Sequence, residues 1–238
     1  MSVYAINETI RAMCREVSSQ ATVCRDWKFR DEDDLFYEVT FCICSSQASY
    51  EVASATANVI RNMDLVGSVK SGASVDGIRD MIVSALDSPM EICDVNGCVR
   101  FVRPRFRNRI AQLIANTIDC LYARGATVRE LLVSAENPKH AREVLTQHVC
   151  GFGPKQASLY LRRIGYCNDL AVLDVHIIDY LRVVHGMSIA PAKLSKLSFY
   201  EELENVFRNI ARSFGHSLGC VDLATWLTMR VLKREALI

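Results

Sequence analysis

The chain has 238 residues, 50% of them hydrophobic, and its 28 Lys and Arg against 27 Asp and Glu give a formal net charge of +1. This length supports one large or two small domains with a sizeable core, and the composition excludes a disordered chain. No apolar run is long enough to span a membrane, and Asn7, Glu8 and Arg11 break the N-terminal segment where a signal peptide is apolar, so a soluble cytoplasmic monomer is expected.

Apolar periodicity predicts helices near 5–19, 33–45, 49–62, 75–86, 105–123, 128–135, 138–149, 154–164, 175–185, 199–214 and 220–233. Along the way, Val95-Asn96-Gly97-Cys98-Val99 carries the Asn-Gly turn of a short β-hairpin. Thr127-x-x-Glu130 and Ser198-x-x-Glu201 read as capping boxes ahead of apolar runs. Acidic residues gather at Asp31-Glu32-Asp33-Asp34. Basic ones gather at Arg100, Arg103, Arg105, Arg107 and Arg109, and again at Lys155, Arg162 and Arg163. Such asymmetry gives a basic face for a polyanion without a basic protein. Repeats, low-complexity tracts and long linkers are absent.

The most informative segment is Gly151-Phe152-Gly153-Pro154-Lys155, followed by Asp174 in Val172-Leu173-Asp174-Val175-His176. Asn137 and Pro138 open one helix, the glycines make a tight turn, and Gly153 and Pro154 serve as N-cap and N1 of the next helix. The free N–H groups of Gly151, Gly153 and that first turn form an anion site suited to a DNA phosphate. The spacing is too short for the phosphate loop of an NTPase. Lys155 lies on the first helical turn, where the positive end of the dipole opposes its ammonium form and favours the neutral amine of a nucleophile. Asp174 reads as the N-cap of the next helix, where N–H groups favour the charged carboxylate. An ionised carboxylate beside a sugar stabilises the positive charge that develops as a glycosidic bond breaks.

The ten cysteines, at 14, 24, 42, 44, 93, 98, 120, 150, 167 and 220, include no C-x-x-C pair, and many lie in apolar runs such as Phe41-Cys42-Ile43-Cys44. They read as reduced, packed thiols rather than metal ligands or disulfides. The five histidines add no metal set, so neither metal nor cofactor is expected.

The Gly-x-Gly turn with Lys155 and the Leu173-Asp174-x-His176 segment resemble the helix-hairpin-helix DNA glycosylase/lyases, and most nearly the compact second, archaeal-type family of 8-oxoguanine DNA glycosylases. Supporting segments are Leu35-Phe36-Tyr37-Glu38, Phe41 to Gln47, Arg105 to Ala111, and Val221 to Trp226; together the resemblance covers roughly residues 30–235. It implies an all-α, two-lobed fold with the active site in the cleft between the lobes. A central lobe spans 36–166 and ends in the hairpin, and the second lobe is built from 1–35 plus 167–238. It also implies a bifunctional glycosylase and AP lyase acting on a flipped damaged base in double-stranded DNA, 8-oxoguanine foremost. Lys155 attacks C1′ and forms a Schiff base, and Asp174 stabilises the transition state. Within the basic cluster Arg105 and Arg109 are expected to hold DNA phosphate, and by the resemblance Gln47 intrudes near the DNA strand. By the resemblance Trp226 stacks on the base, and Asp222, Trp226, Met229 and Lys233, at spacings of four, three and four, share one helix face that could line the base pocket. The cluster of endonuclease III relatives needs four closely spaced cysteines near the C-terminus, where only Cys220 lies, so no iron–sulfur cluster is expected.

One departure stands out: family members typically end in a lysine, whereas this chain ends Lys233-Arg234-Glu235-Ala236-Leu237-Ile238. That keeps open a glycosylase redirected to another modified base, such as a deazapurine in a base-modification or defence system. A non-catalytic helix-hairpin-helix DNA-binding subunit is the other alternative.

Overall fold

A computed structural model describes residues 2–19, 26–46, 48–93 and 97–235. The fold is helical: α1 (Val3–Ser19), α2 (Glu32–Cys44), α3 (Tyr50–Arg61), α4 (Leu65–Lys70), α5 (Val75–Asp87), then β1 (Met90–Cys93) and β2 (Val99–Val102). It continues through α6 (Arg107–Leu121), α7 (Val128–Val133), α8 (Pro138–His148), α9 (Pro154–Arg163), α10 (Val175–His185), α11 (Leu197–Arg212) and α12 (Leu218–Glu235). Every helix expected from periodicity is present, with ends shifted by two residues at most. The additional one, α4, is a single short turn-and-a-half containing Gly67, nucleated by Asp64, whose Oδ1 accepts from Gly67 N at 2.9 Å.

The chain divides into two compact units, Trp27–Phe152 and Met1–Asp26 with Gly153–Ile238. These divisions fall at 26/27 and 152/153, where the sequence reading sets 35/36 and 166/167; α9 therefore groups with the unit formed by both chain ends.

Within the 27–152 unit, Leu35, Val39, Ile78, Ile82, Ile114 and Ile118 form part of a fully buried core. The acidic run at its start is absorbed by helix-start chemistry. Asp31 Oδ1 accepts from Asp34 N at 2.7 Å and caps α2. Glu32 accepts from Tyr122 Oη at 2.6 Å and from Val128 N at 2.8 Å, tying α2 to the first turn of α7. The Thr127–Glu130 capping box is formed. The antiparallel hairpin pairs Met90 with Val102 and Cys93 with Val99. Residues 94–96, which include Asn96 of its expected turn, lie outside the described residues.

The unit of both chain ends packs α1, α10, α11 and α12 around Ile10, Cys14, Ile177, Leu181, Phe207 and Val221. The second expected capping box is not the start of α11. A 3-10 turn at Pro191–Ser195 feeds straight into Leu197, so Ser198 already lies inside the helix. No helix among the described residues is long and apolar enough to cross a membrane. The nine described cysteines are free thiols, and no group of three or more His, Cys, Asp or Glu among the described residues could hold a metal.

Candidate active site

Helix α8 begins as the sequence indicates, with Asn137 Oδ1 accepting from Lys139 N and His140 N at 3.0 Å each and Pro138 at N1. The turn after it depends on glycine at one position. Gly151 has φ +87°, and a Cβ there would also lie 2.8 Å from Leu113 Cδ1 of α6. Gly153 differs: its φ of −103° suits any residue, and a Cβ there would meet nothing within 4 Å. Nothing in the folded chain therefore demands a glycine at 153. It caps α9, whose first residues are Pro154 and Lys155.

Asp174 caps α10, and its Oδ1 accepts from His176 N at 2.9 Å and Ile177 N at 3.1 Å. The two helix starts meet at one place. A pocket of about 380 Å³ is lined by Lys155 and Gly153 on one side and by Asp174, Val175, Ile178 and Arg182 on the other, with Leu194 and Ser195 closing it. Lys155 and Asp174 thus line one shared, mostly apolar pocket.

The four residues of the expected base-reading stripe on α12 differ in burial and in partner. Asp222 is 1% exposed. Its Oδ1 accepts from Arg162 Nη1 at 2.5 Å and its Oδ2 from Val172 N at 2.8 Å. Burial pushes its carboxyl upward, and Arg162 and the Val172 N–H, both obligate donors, pull it back towards the charged form. Asp222 thus holds the strand of chain leading to Asp174. Arg162, expected on a basic face, is committed to this pair. Met229 is buried within the hydrophobic cluster, and Lys233 is exposed and paired with Asp179 at 3.0 Å. Trp226 is partly buried against the hydrophobic cluster. Arg230 lies over it at 4.8 Å from the centroid, and His176 meets its edge at 5.9 Å and 88°. Neither neighbour of Trp226 was signalled by spacing from the glycine turn. His176 is driven towards its neutral form, first by burial and further by Lys233 and Arg230, against Asp174 and Asp179; its buried Nδ1 has no hydrogen-bond partner among the described residues.

The arginine-rich segment sorts itself by partner. Arg103 Nε donates to Asp87 O at 2.6 Å, and Arg107 pairs with the Asp87 carboxylate at 2.6 Å. Arg105 and Arg109 are exposed, and neither is ion-paired among the described residues. Between them Phe106 stands in the left-handed region at φ 59° with its ring 56% exposed, a conformation that costs a non-glycine residue roughly 1–3 kcal/mol. All three line a pocket of about 280 Å³ in the 27–152 unit, with Val52 and Leu113. Gln47 lies outside the described residues.

The family model described as 8-oxoguanine DNA glycosylase matches residues 82–216. The chain belongs to the 8-oxoguanine DNA glycosylase family. The resemblance read from the glycine turn, Lys155 and Asp174 is borne out, and membership identifies an enzyme of the DNA glycosylase class. A protein of Methanocaldococcus jannaschii named 8-oxoguanine DNA glycosylase/AP lyase is 29% identical over 211 residues, covering 88% of this chain and 87% of that protein. One of the same name from Saccharolobus solfataricus is 28% identical over 198 residues, covering 82% of each. Among solved structures, the M. jannaschii 8-oxoguanine DNA glycosylase superposes with a TM-score of 0.65 at 22% identity, covering 95% of this chain and 96% of that one. The M. jannaschii enzyme in complex with a 15mer DNA containing 8-oxoguanine superposes at 0.59 and 24% identity, covering 92% and 88%. These structural likenesses establish the helix-hairpin-helix glycosylase fold.

Proposed function

We propose that this enzyme is a bifunctional DNA glycosylase and AP lyase that removes an oxidised purine, 8-oxoguanine foremost, from double-stranded DNA through a lysine Schiff base. The observation that carries the reading is the pocket of about 380 Å³ into which the N-termini of α9 and α10 bring Lys155 and Asp174 together. The Lys155 Nζ attacks C1′ of the extruded nucleotide. The bond from C1′ to the base breaks, and its electron pair leaves with the purine, which takes up a proton. Asp174 stabilises the positive charge building on the sugar and receives the proton that Lys155 sheds. Ring opening yields the iminium; loss of a C2′ proton then expels the 3′ phosphate by β-elimination and nicks the strand.

The glycine at 153 supports this reading. No protein neighbour accounts for it, whereas a phosphate held by the N–H groups of the turn needs a bare backbone there. Trp226, partly exposed with Arg230 over its ring, offers the stacking surface a flipped base requires. Arg105 and Arg109, exposed and without an ion pair among the described residues, hold strand phosphates. A module that only grips DNA needs the glycines but neither Lys155 nor Asp174.

The test is borohydride trapping against duplexes carrying 8-oxoguanine, other oxidised purines and deazapurines. The expected outcome is a covalent complex with the 8-oxoguanine duplex that disappears in Lys155→Gln while circular dichroism stays unchanged. A folded Lys155→Gln protein that still traps would remove Lys155 from its role.

A further inference from the structure

We propose that Tyr200, Glu204 and Asp222 are positioning residues that clasp the backbone of residues 171–173 and thereby aim Asp174; this deepens the Schiff-base reading above and rests on it for its catalytic consequence. Residues 170–174 form neither helix nor strand, yet Leu170, Ala171, Val172 and Leu173 are all buried. A buried loop must find partners for its peptide groups, because an unpaired buried N–H costs about 1–3 kcal/mol. Here three consecutive N–H groups are taken by three side chains from two helices. Ala171 N donates to Glu204 Oε1 at 2.8 Å, Val172 N to Asp222 Oδ2 at 2.8 Å, and Leu173 N to Tyr200 Oη at 3.0 Å.

Tyr200 is the central member. Its hydroxyl accepts from Leu173 N and donates to Ala171 O at 2.8 Å, so one oxygen bridges both ends of the clasped tripeptide and opposes rotation of the peptides between them. The residue is 0% exposed, as is Glu204, so water does not compete for these contacts. Asp222 is in turn fixed by Arg162 of α9, the helix that carries Lys155 on its first turn. The next peptide group continues the chain of contacts: Asp174 N donates to Val172 O at 2.7 Å, and the Asp174 side chain then caps α10. Amine and carboxylate are therefore referenced to one frame through Arg162–Asp222–Val172. For a reaction at a single sugar carbon, a displacement of about 1 Å in a positioned group is enough to cost up to about a hundredfold in rate.

The discriminating variant is Tyr200→Phe, which keeps the ring and removes both hydrogen bonds. Single-turnover nicking of an 8-oxoguanine duplex at saturating protein reports the chemical step, and duplex affinity is measured separately. The expected result is a rate lowered about tenfold or more with affinity within about twofold, in protein that is fully folded by circular dichroism at the assay temperature. An unchanged rate in folded Tyr200→Phe, or rate and affinity falling by the same factor, overturns the proposal. Amide hydrogen exchange provides the readout that is independent of activity. The N–H groups of Ala171, Val172 and Leu173 should be protected in the unaltered enzyme, and Tyr200→Phe should release Leu173 together with His176 and Ile177, which Asp174 caps. Free exchange at 171–173 in the unaltered enzyme overturns the clasp even if the variant fails to fold. Failure of the unaltered enzyme to trap with borohydride defeats the Schiff-base reading instead, and leaves the exchange result to decide the clasp.

Discussion

In the unit built from both chain ends, several cations are committed to carboxylates: Arg162 to Asp222, Arg208 to Asp169 and Lys233 to Asp179. In the 27–152 unit Asp87 occupies Arg103 and Arg107, yet Arg105 and Arg109 remain exposed and without an ion pair among the described residues. The same residue type therefore does two jobs. In the function proposed above, a guanidinium paired with a buried carboxylate fixes geometry and contributes to rate, whereas an exposed one meets a polyanion in solvent and contributes to affinity that salt can erase.

The largest way to break that contrast is Arg162→Ala. It strands a carboxylate that is 1% exposed, with only the Val172 N–H left to it. Removing one partner of a buried pair costs roughly 3–5 kcal/mol, read as a drop in the guanidinium midpoint at constant slope. Replacing both members, Arg162→Met with Asp222→Leu, should recover most of that stability while leaving nicking slow, because Val172 loses its acceptor. Stability and nicking recovering together would show that the pair does nothing for the site.

What the sequence reveals about this site depends on the span of each interaction. Asn137 to His140, Gly151 to Lys155 and Asp174 to Ile177 are legible because a helix cap is settled within three or four residues. Helical spacing likewise places Asp222 and Trp226 on related positions of α12, but spacing is silent on which side meets the core, and burial assigns Asp222 to the 171–173 loop. Tyr200 and Glu204 carry no local signature, since their partners lie 27 to 33 residues away. Ser198 shows the opposite failure: the capping pattern is present, but the 3-10 turn at Pro191–Ser195 starts the helix before it applies.

On the binding side, Arg105→Ala with Arg109→Ala should leave the single-turnover rate at saturating protein intact and weaken duplex affinity. If both side chains neutralise phosphates, the slope of log affinity against log salt falls by about one per residue removed. The matching pair Arg103→Ala with Arg107→Ala should change the slope less, because the Asp87 carboxylate pairs with Arg107 and the Asp87 carbonyl holds the Arg103 guanidinium in place. Equal slope losses in the two pairs would erase the distinction between committed and available arginines.

The smallest effect concerns protons. Burial is the leading cause that drives both His176 and His185 towards the neutral form. At His176, Lys233 and Arg230 push the same way, while Asp174 and Asp179 oppose them. Below the ordinary histidine value of 6.5 the unfolded chain takes up protons that these folded imidazoles resist. More protons are then bound in the unfolded state, so stability is fully present above that value and declines as pH falls through it towards the lowered folded values. Urea midpoints at pH 7.5 and 5.5 should therefore separate in the unaltered enzyme, and the separation should narrow in His176→Gln with His185→Gln. The His176 variant should also loosen the edge contact to Trp226, visible as a change in indole fluorescence, whereas His185→Gln alone, whose imidazole packs on Tyr180, should not. Identical pH dependence in the double variant would mean that carboxylates elsewhere, and not these imidazoles, govern acid stability.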